Sequence, residues 1–497
     1  MKVTKLFTVA LLSMSLLLTA ACSGNVKETS GGEGSKEDVT TTDEDANNAD
    51  DAEQDASDSV PSETPEEVVE EQSYDPNLDL GGYEYVIACF YGADVWHPEA
   101  GKSEMGDLLL ARYKEIEEQN NCTIKFIDCT TDEFLDGINT SAASGVKYAD
   151  QVHVNMDMYQ KLMSADYLAP MSELPYINVE DEKWNQYYMG VTTNKEGKLF
   201  GLDFLSWPNR KPFPDQCVFF NKTLVKELGL SDPYEMYDKG EWTWENFRKL
   251  LLDSTRDTNG DNVNDIYGIT CVGNLMEYAA LYSNGAHTFD VVDGKYQFGL
   301  ANDAAYKALQ FTSDIRNVDQ TFLSFPEDAH WGLPLDTFKA HGTVFFMRDV
   351  IYFQDLKDNE HEFGMLPFPK GPDLQGNYPT ATWNADTQVQ SILKIGTDVE
   401  KAAYIFNRIT EPFDGYAVGD WEDYALRNHF MKDEKAFEIF KQMCANSVTD
   451  GFSIYGGDNH WKISQAINDT IKLVKTPAEA INSVKDELQT FLDENYN

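Results

Sequence analysis

The segment Asp257-Thr258-Asn259-Gly260-Asp261-Asn262-Val263-Asn264-Asp265 carries oxygen side chains at its first, third, fifth and ninth positions. With a backbone carbonyl at the seventh position, Val263, this is how an EF-hand-type loop surrounds Ca2+. Asn262 stands where such loops use glycine, and asparagine tolerates the left-handed backbone that the turn requires. The twelfth position is Gly268 rather than a bidentate glutamate, so a further ligand must come from elsewhere or from water. The expectation is a structural Ca2+ held by Asp257, Asn259, Asp261, the Val263 carbonyl and Asp265. A solvated Asx-rich turn is the alternative.

A second set of residues suits sugar recognition. Sugars present apolar C–H faces that stack on aromatic rings, and hydroxyls that pair with carboxylates, amides and arginine. Asp94 and Trp96 lie in the loop Gly92–Pro98, and Asn155 and Asp157 in another short polar stretch, each directly after a strand-like run. Trp461 falls on the polar side of a helical pattern whose core stripe is Ile463, Ile467, Ile471 and Val474, which leaves its indole exposed unless something packs on it. Trp242 and Trp244 are read as packing around a helix start.

Catalytic signatures are poor. His361-Glu362 is followed by Met365 where a zinc H-E-x-x-H motif needs histidine. Ser144-Gly145-Val146-Lys147 matches S-x-x-K at a predicted helix end, without a K-T-G companion. Acidic pairs are too frequent for one to stand out as a glycosidase couple. The expectation is a protein that binds without chemistry. The rivals are a surface glycoside-active enzyme and a noncatalytic adhesin for glycan or protein.

Around these residues the chain alternates strand and helix. Tyr83–Phe90 is a mostly apolar run bounded by glycines, as a strand buried on both faces would be. Leu109, Tyr113 and Ile116 form one helical stripe, with Asn120-Asn121 as its stop. Cys122–Ile127 reads as a second strand. Phe134, Ile138 and Ala142 mark a second helix ending at Gly145, and Val152 and Val154 a third strand. This order predicts an α/β fold with a parallel sheet flanked by helices, whose ligands gather beyond the carboxyl ends of the strands. The cysteines from Cys89 to Cys444 show no C-x-x-C spacing and read as buried thiols, with a Cys122–Cys129 bridge as a minor alternative.

The amino terminus settles the expected compartment. Lys2 and Lys5 precede an apolar run from Leu6 to Ala21, shorter than a membrane-spanning helix needs, as in a secretory signal peptide over residues 1–21. Leu18-Thr19-Ala20-Ala21-Cys22 resembles the lipobox of bacterial lipoproteins, which implies a covalent lipid on Cys22. From Ser23 to Asp75 there are 18 acidic residues against two lysines, a net of −16. Such a segment buries too little apolar surface to offset its ordering entropy, so residues 22–80 are expected to form an acidic disordered tether. The net charge of −46 makes nucleic acid and anionic membrane surfaces poor partners, so the lipid would be the one membrane attachment.

Six further stretches, in order, resemble the family 1 extracellular solute-binding proteins, the relatives of maltose-binding protein. They are Gly197–Leu202, Val218–Leu230, Thr243–Phe247, Phe338–Phe346, Phe363–Pro372 and Lys401–Phe406. The loop at Asp257, followed by Tyr267-Gly268, is also similar to one that relatives carry. The resemblance implies a two-lobed periplasmic-binding-protein-like fold, each lobe a mainly parallel sheet flanked by helices, joined by a hinge of several crossings. It places lobe 1 at 81–206 and 364–411, and lobe 2 at 207–363 and 412–497. It implies an extracellular, lipid-anchored monomer that delivers a small solute, an oligosaccharide above all, to the transmembrane subunits of an ABC importer. It also implies that Trp461 faces the cleft and that Arg348 and Asp349 contact solute after a strand. Trp207, near the first crossing, and Trp383, in the strand returning to lobe 1, complete the expected solute site.

Overall fold

The structure is a computed structural model that describes residues 75–90, 93–210, 217–326, 329–330, 332–356, 359, 361–382, 388–422, 433–449, 452–455 and 457–497. The expected signal peptide, Cys22, the expected tether up to residue 74 and Trp383 lie outside the described residues, as does the side chain of Asp94.

Lobe 1 is built on β1 (Tyr83–Cys89), β2 (Cys122–Asp128) and β3 (Gln151–Asn155), with β11 (Gln388–Ile392) added late in the chain. The order is β11-β3-β1-β2, with β1 parallel to both neighbours and β11 antiparallel to β3. Parallel pairing requires crossover helices, and α2 (Glu104–Asn120) and α3 (Thr131–Ser144) supply them. Each starts where a side chain caps it: the Ser103 hydroxyl accepts from the Gly106 N–H, and Thr130 and Glu133 form a reciprocal capping box. α3 stops at Gly145, whose φ of 71° is the left-handed conformation of a helix C-cap. The Val399–Ile409 helix buries Tyr404, Ile405 and Phe406 in a core with Ile87, Leu109 and Ile116.

Lobe 2 holds β4 (Cys217–Asn221), β5 (Tyr267–Cys271), β8 (Thr343–Arg348) and β9 (Phe363–Pro367) in the order β5-β8-β4-β9. Only β5 and β8 are parallel here; β4 runs antiparallel to both β8 and β9. This sheet is therefore mixed, where a mainly parallel one was expected. β6 (Phe289–Val292) and β7 (Lys295–Phe298) make a hairpin whose turn residues Asp293 and Gly294 both have positive φ, the primed turn that suits strand twist. β10 (Thr380–Thr382) pairs in parallel with β12 (Ser447–Thr449) in a separate two-stranded ladder.

The strand pairing moves the expected lobe boundary. The expectation places residues from 364 in lobe 1, yet β9 is hydrogen-bonded to β4 along its whole length. The chain rejoins the first sheet only at β11, so residues 364–382 go with lobe 2. The cysteine bridge is also corrected. Cys122 and Cys129 are both free, and they stand at opposite ends of one extended strand, far beyond the reach of a disulfide. Val474 leaves the expected core stripe at 66% exposure, because its helix ends at Ile471 and Leu473 takes a positive φ.

A strap fastens the amino-terminal end of the described chain to lobe 1. The Asn120 amide nitrogen lies 3.0 Å from the Pro76 carbonyl, 3.1 Å from that of Leu78 and 2.9 Å from the Tyr404 hydroxyl. Tyr404 and Arg408 donate to the carbonyls of Asp75 and Pro76, both at 2.7 Å. Asn120 is fully buried, so Asn120→Ala should leave several partners unmatched and cost roughly 1–3 kcal/mol. The urea midpoint would fall, and cleavage by a nonspecific protease near residue 76 would quicken.

Candidate solute-binding cleft

The carboxyl end of β3 leads straight into α4 (Met156–Ser164), because the Asn155 side chain turns back to accept the Met158 N–H at 3.0 Å. Asn155 is thus a helix cap first. It is also Gln388's partner across the β3–β11 ladder, so two polar side chains share the sheet edge at this point. Asp157, in the first turn of α4, comes within 3.9 Å of the His460 imidazole of lobe 2. His460 opens the Gly457–Ile471 helix, and its neighbour Trp461 is 46% exposed with its ring centroid 4.4 Å from the imidazole. Asp157 of one lobe and the aromatic start of this helix in the other are therefore brought together.

Other contacts join the lobes beyond this point. Gln160 donates to the Tyr496 hydroxyl at 2.7 Å, and that hydroxyl donates to the Ile454 carbonyl at 3.2 Å. A cavity of about 480 Å³ lies beside them, between Asp166, Lys195, Lys198, Lys394 and Glu494. Its cations are engaged: Lys394 with Asp166 at 2.6 Å, Lys198 with Glu173 at 2.9 Å and Lys195 with the Glu494 carbonyl at 2.8 Å. It is a seam between lobes rather than a site with polar groups to spare.

Two expected stacking residues are corrected. Trp96 is 0% and Trp207 2% exposed, so neither offers a ring face to a solute. The loop after β1 folds as the single turn α1 (Ala93–Trp96) and turns its indole inward. There the Trp96 Nε1–H donates to His153 Nδ1 at 3.1 Å, while its ring meets Phe204 at 5.9 Å and Trp207 at 5.5 Å between centroids. Trp207 donates in turn to the Ile409 carbonyl at 3.3 Å. Large aromatic surface is worth most when removed from water, and this cluster is the floor of lobe 1 beside the first crossing.

Arg348 ends β8 as expected, in register with Cys217 where the chain enters lobe 2. Its guanidinium lies 4.6 Å from the centre of the Tyr352 ring, donates to that hydroxyl at 2.9 Å and stands 3.9 Å from Asp349. Asp349 is partly accessible, with its side chain 21% exposed. Trp242 and Trp244 are buried packing residues, as the sequence implied.

Sequence reasoning did not single out His153, Asp203, Arg210, Gln388 or His460. His153 is fully buried, and burial with the nearby Arg210 charge pushes its pKa down to about 3, so it is neutral. Arg210 lies over the Phe204 ring at 4.9 Å and faces Asp203 at 3.8 Å. The signal for Arg210 was its position, a cation directly after Trp207-Pro208-Asn209 at a lobe crossing.

The loop at Asp257 folds around its own hydrogen bonds. The Asp257 carboxylate accepts the N–H groups of Gly260 at 2.6 Å and Asn262 at 2.8 Å. Asp265 accepts from Thr258 and from the Asn259 amide, the latter at 2.8 Å. These donors hold both carboxyls below the usual carboxylate range. Asn262 adopts φ 68°, the left-handed turn expected of it. Among the described residues no group of three or more His, Cys, Asp or Glu side chains is gathered to hold a metal. A cation here would have to draw Asp257, Asp261 and Asp265 together and compete with the loop's own donors.

No protein-family model and no curated protein sequence matches the chain. Solved structures do. An ABC substrate-binding protein of Listeria monocytogenes in complex with cycloalternan is 16% identical, with 84% of this chain and 100% of that chain covered at a TM-score of 0.53. The GacH receptor of Streptomyces glaucescens, solved unliganded and with acarbose, is 15% identical over 84% of this chain and 100% of its own, at 0.54. MalX of Streptococcus pneumoniae, in complex with maltopentaose, is 14% identical over 82% and 99%, also at 0.54. The chain therefore has the two-lobed fold of these binding proteins.

Proposed function

We propose that this chain is an extracellular solute-binding lipoprotein that captures an oligosaccharide between its lobes and hands it to an ABC importer. The observation that carries the reading is the meeting of Asp157 at the start of α4 with His460 and the exposed Trp461 of the opposite lobe. A carboxylate for hydroxyls and an indole face for C–H surface is the pairing that a sugar ring requires. The two-lobed fold, shared with binding proteins solved with sugars, supports the same reading. Solute bound to both surfaces stabilises the closed arrangement by its differential affinity, and no covalent step is needed.

Attachment through a lipid on Cys22 belongs to this proposal. Among the described residues no helix is long and apolar enough to cross a membrane, and the strap at Asp75–Leu80 would take up the end of the tether. Monomeric action and a structural Ca2+ in the Asp257–Asp265 loop complete it. Calcium at ten times its dissociation constant should stabilise the protein by about 1.4 kcal/mol, at the millimolar concentrations typical of extracellular sites. Differential scanning calorimetry with Ca2+ and with chelator would show the shift in wild type and lose it in Asp257→Asn and Asp265→Asn. An identical trace with and without calcium would leave the loop as a self-satisfied Asx turn.

The test of the main reading is a thermal-shift panel of neutral and acidic oligosaccharides, monosaccharides, amino acids and peptides. A solute at 100 times its dissociation constant adds about 2.7 kcal/mol, enough to move the melting point by degrees. A glycan that shifts the transition and is recovered intact supports the receptor. Recovery of cleaved glycan would make the protein an enzyme instead, and a panel without any shift would remove the small-solute reading.

A further inference from the structure

We propose that Arg210, backed by His153, recognises a carboxylate on the solute, so that the cleft is built for an acidic oligosaccharide such as one containing a uronic acid. The inference deepens the receptor reading and rests on it.

An indole N–H can only donate, so the Trp96 Nε1–H at 3.1 Å makes His153 Nδ1 an acceptor. The Gln390 amide nitrogen, 2.6 Å from the same Nδ1, is also a donor. The proton of the neutral imidazole must then sit on Nε2. That atom is buried and meets no acceptor within hydrogen-bond distance among the described residues, although the Gln388 side chain also interacts with the ring. Arg210 Nη2 is a second buried donor in the same condition. Buried donors without acceptors are uncommon, and two near one crossing leave room for a bound oxygen, from solute or from water.

Arg210 is held for that task. Its guanidinium lies on the Phe204 ring, 4.9 Å from the centroid, and its side chain keeps 18% exposure. Asp203 offsets the charge, but at 3.8 Å it stands beyond hydrogen-bond distance, and its other oxygen accepts from the Asn185 amide at 2.8 Å. Among the described residues Nη2 of this oriented fork meets no acceptor, the condition in which arginine takes a carboxylate by parallel N–H···O bonds. The Asn209 amide oxygen, also buried and without a partner among the described residues, could accept from a ring hydroxyl beside the acid. The place suits capture as well. Arg210 precedes the crossing to lobe 2, whose first strand begins at Cys217, opposite Arg348.

The experiment is isothermal titration of the whole protein with a uronic-acid oligosaccharide, its methyl ester and the neutral glycan of the same linkage. The acid should bind at least tenfold more tightly than its ester. Arg210→Gln should remove that preference, and Arg210→Lys, which keeps the charge but loses the fork, should retain part of it. Each variant's melting curve without glycan guards against misfolding. Equal affinity for acid, ester and neutral glycan would overturn the proposal while leaving the receptor reading intact. Acid binding untouched in Arg210→Gln would overturn it too, and would assign the unmatched donors to buried water. Binding of no glycan at all would overturn both readings together.

Discussion

Trp96→Ala should destabilise the protein by about 3–5 kcal/mol, the cost of removing a large buried aromatic and leaving a cavity. The indole is completely buried and is tied at both ends of the residue: its N–H donates to His153, and its carbonyl accepts from the Tyr113 hydroxyl at 2.7 Å. Phe204 and Trp207 would lose a packing partner, and His153 Nδ1 one of its two donors. Chemical denaturation should show the loss as a lower midpoint with an unchanged slope. Where the variant is still folded, solute affinity should fall far less than stability. A variant of wild-type stability that no longer binds solute would return Trp96 to the cleft and refute its placement as core.

Trp461→Ala should behave in the opposite way. The residue is 46% exposed, and surface substitutions usually stay within about 0.5 kcal/mol. The unliganded melting point should therefore hardly move. Solute affinity should fall by about 2 kcal/mol, roughly thirtyfold, as expected for an aromatic anchor buried by its ligand. Trp461→Phe should recover part of this, because a smaller ring still offers a stacking face. The contrast between these two tryptophans tests the site assignment more sharply than either variant alone.

The fold was legible where local pattern and burial coincide. β1 reads as an apolar run between glycines because it is covered on both faces, and α2 and α3 announce themselves by the Leu109–Tyr113–Ile116 and Phe134–Ile138 stripes and by Gly145. Trp461 was legible as an exposed ring because helical periodicity sets it apart from Ile463 and Ile467. Periodicity says nothing about where a short turn or loop aims a single indole, so Trp96 and Trp207 read as solute contacts when they are buried core of lobe 1. The assignment of β9 needed the antiparallel ladder with β4, a long-range pairing that no local window contains. His153 and Arg210 were hidden for the same reason: their meaning lies in which donors lack acceptors, and that is fixed only by packing.

The central claim is that one glycan is held by both lobes at once. Hydrogen exchange followed by mass spectrometry tests it most directly, with and without the glycan that gives the largest thermal shift. Bound glycan should slow exchange in two separate segments, Asn155–Tyr159 at the start of α4 and Asn459–Ser464 in the opposite lobe, with matching concentration dependence. Protection confined to one lobe would contradict capture between the lobes and would describe a surface adhesin.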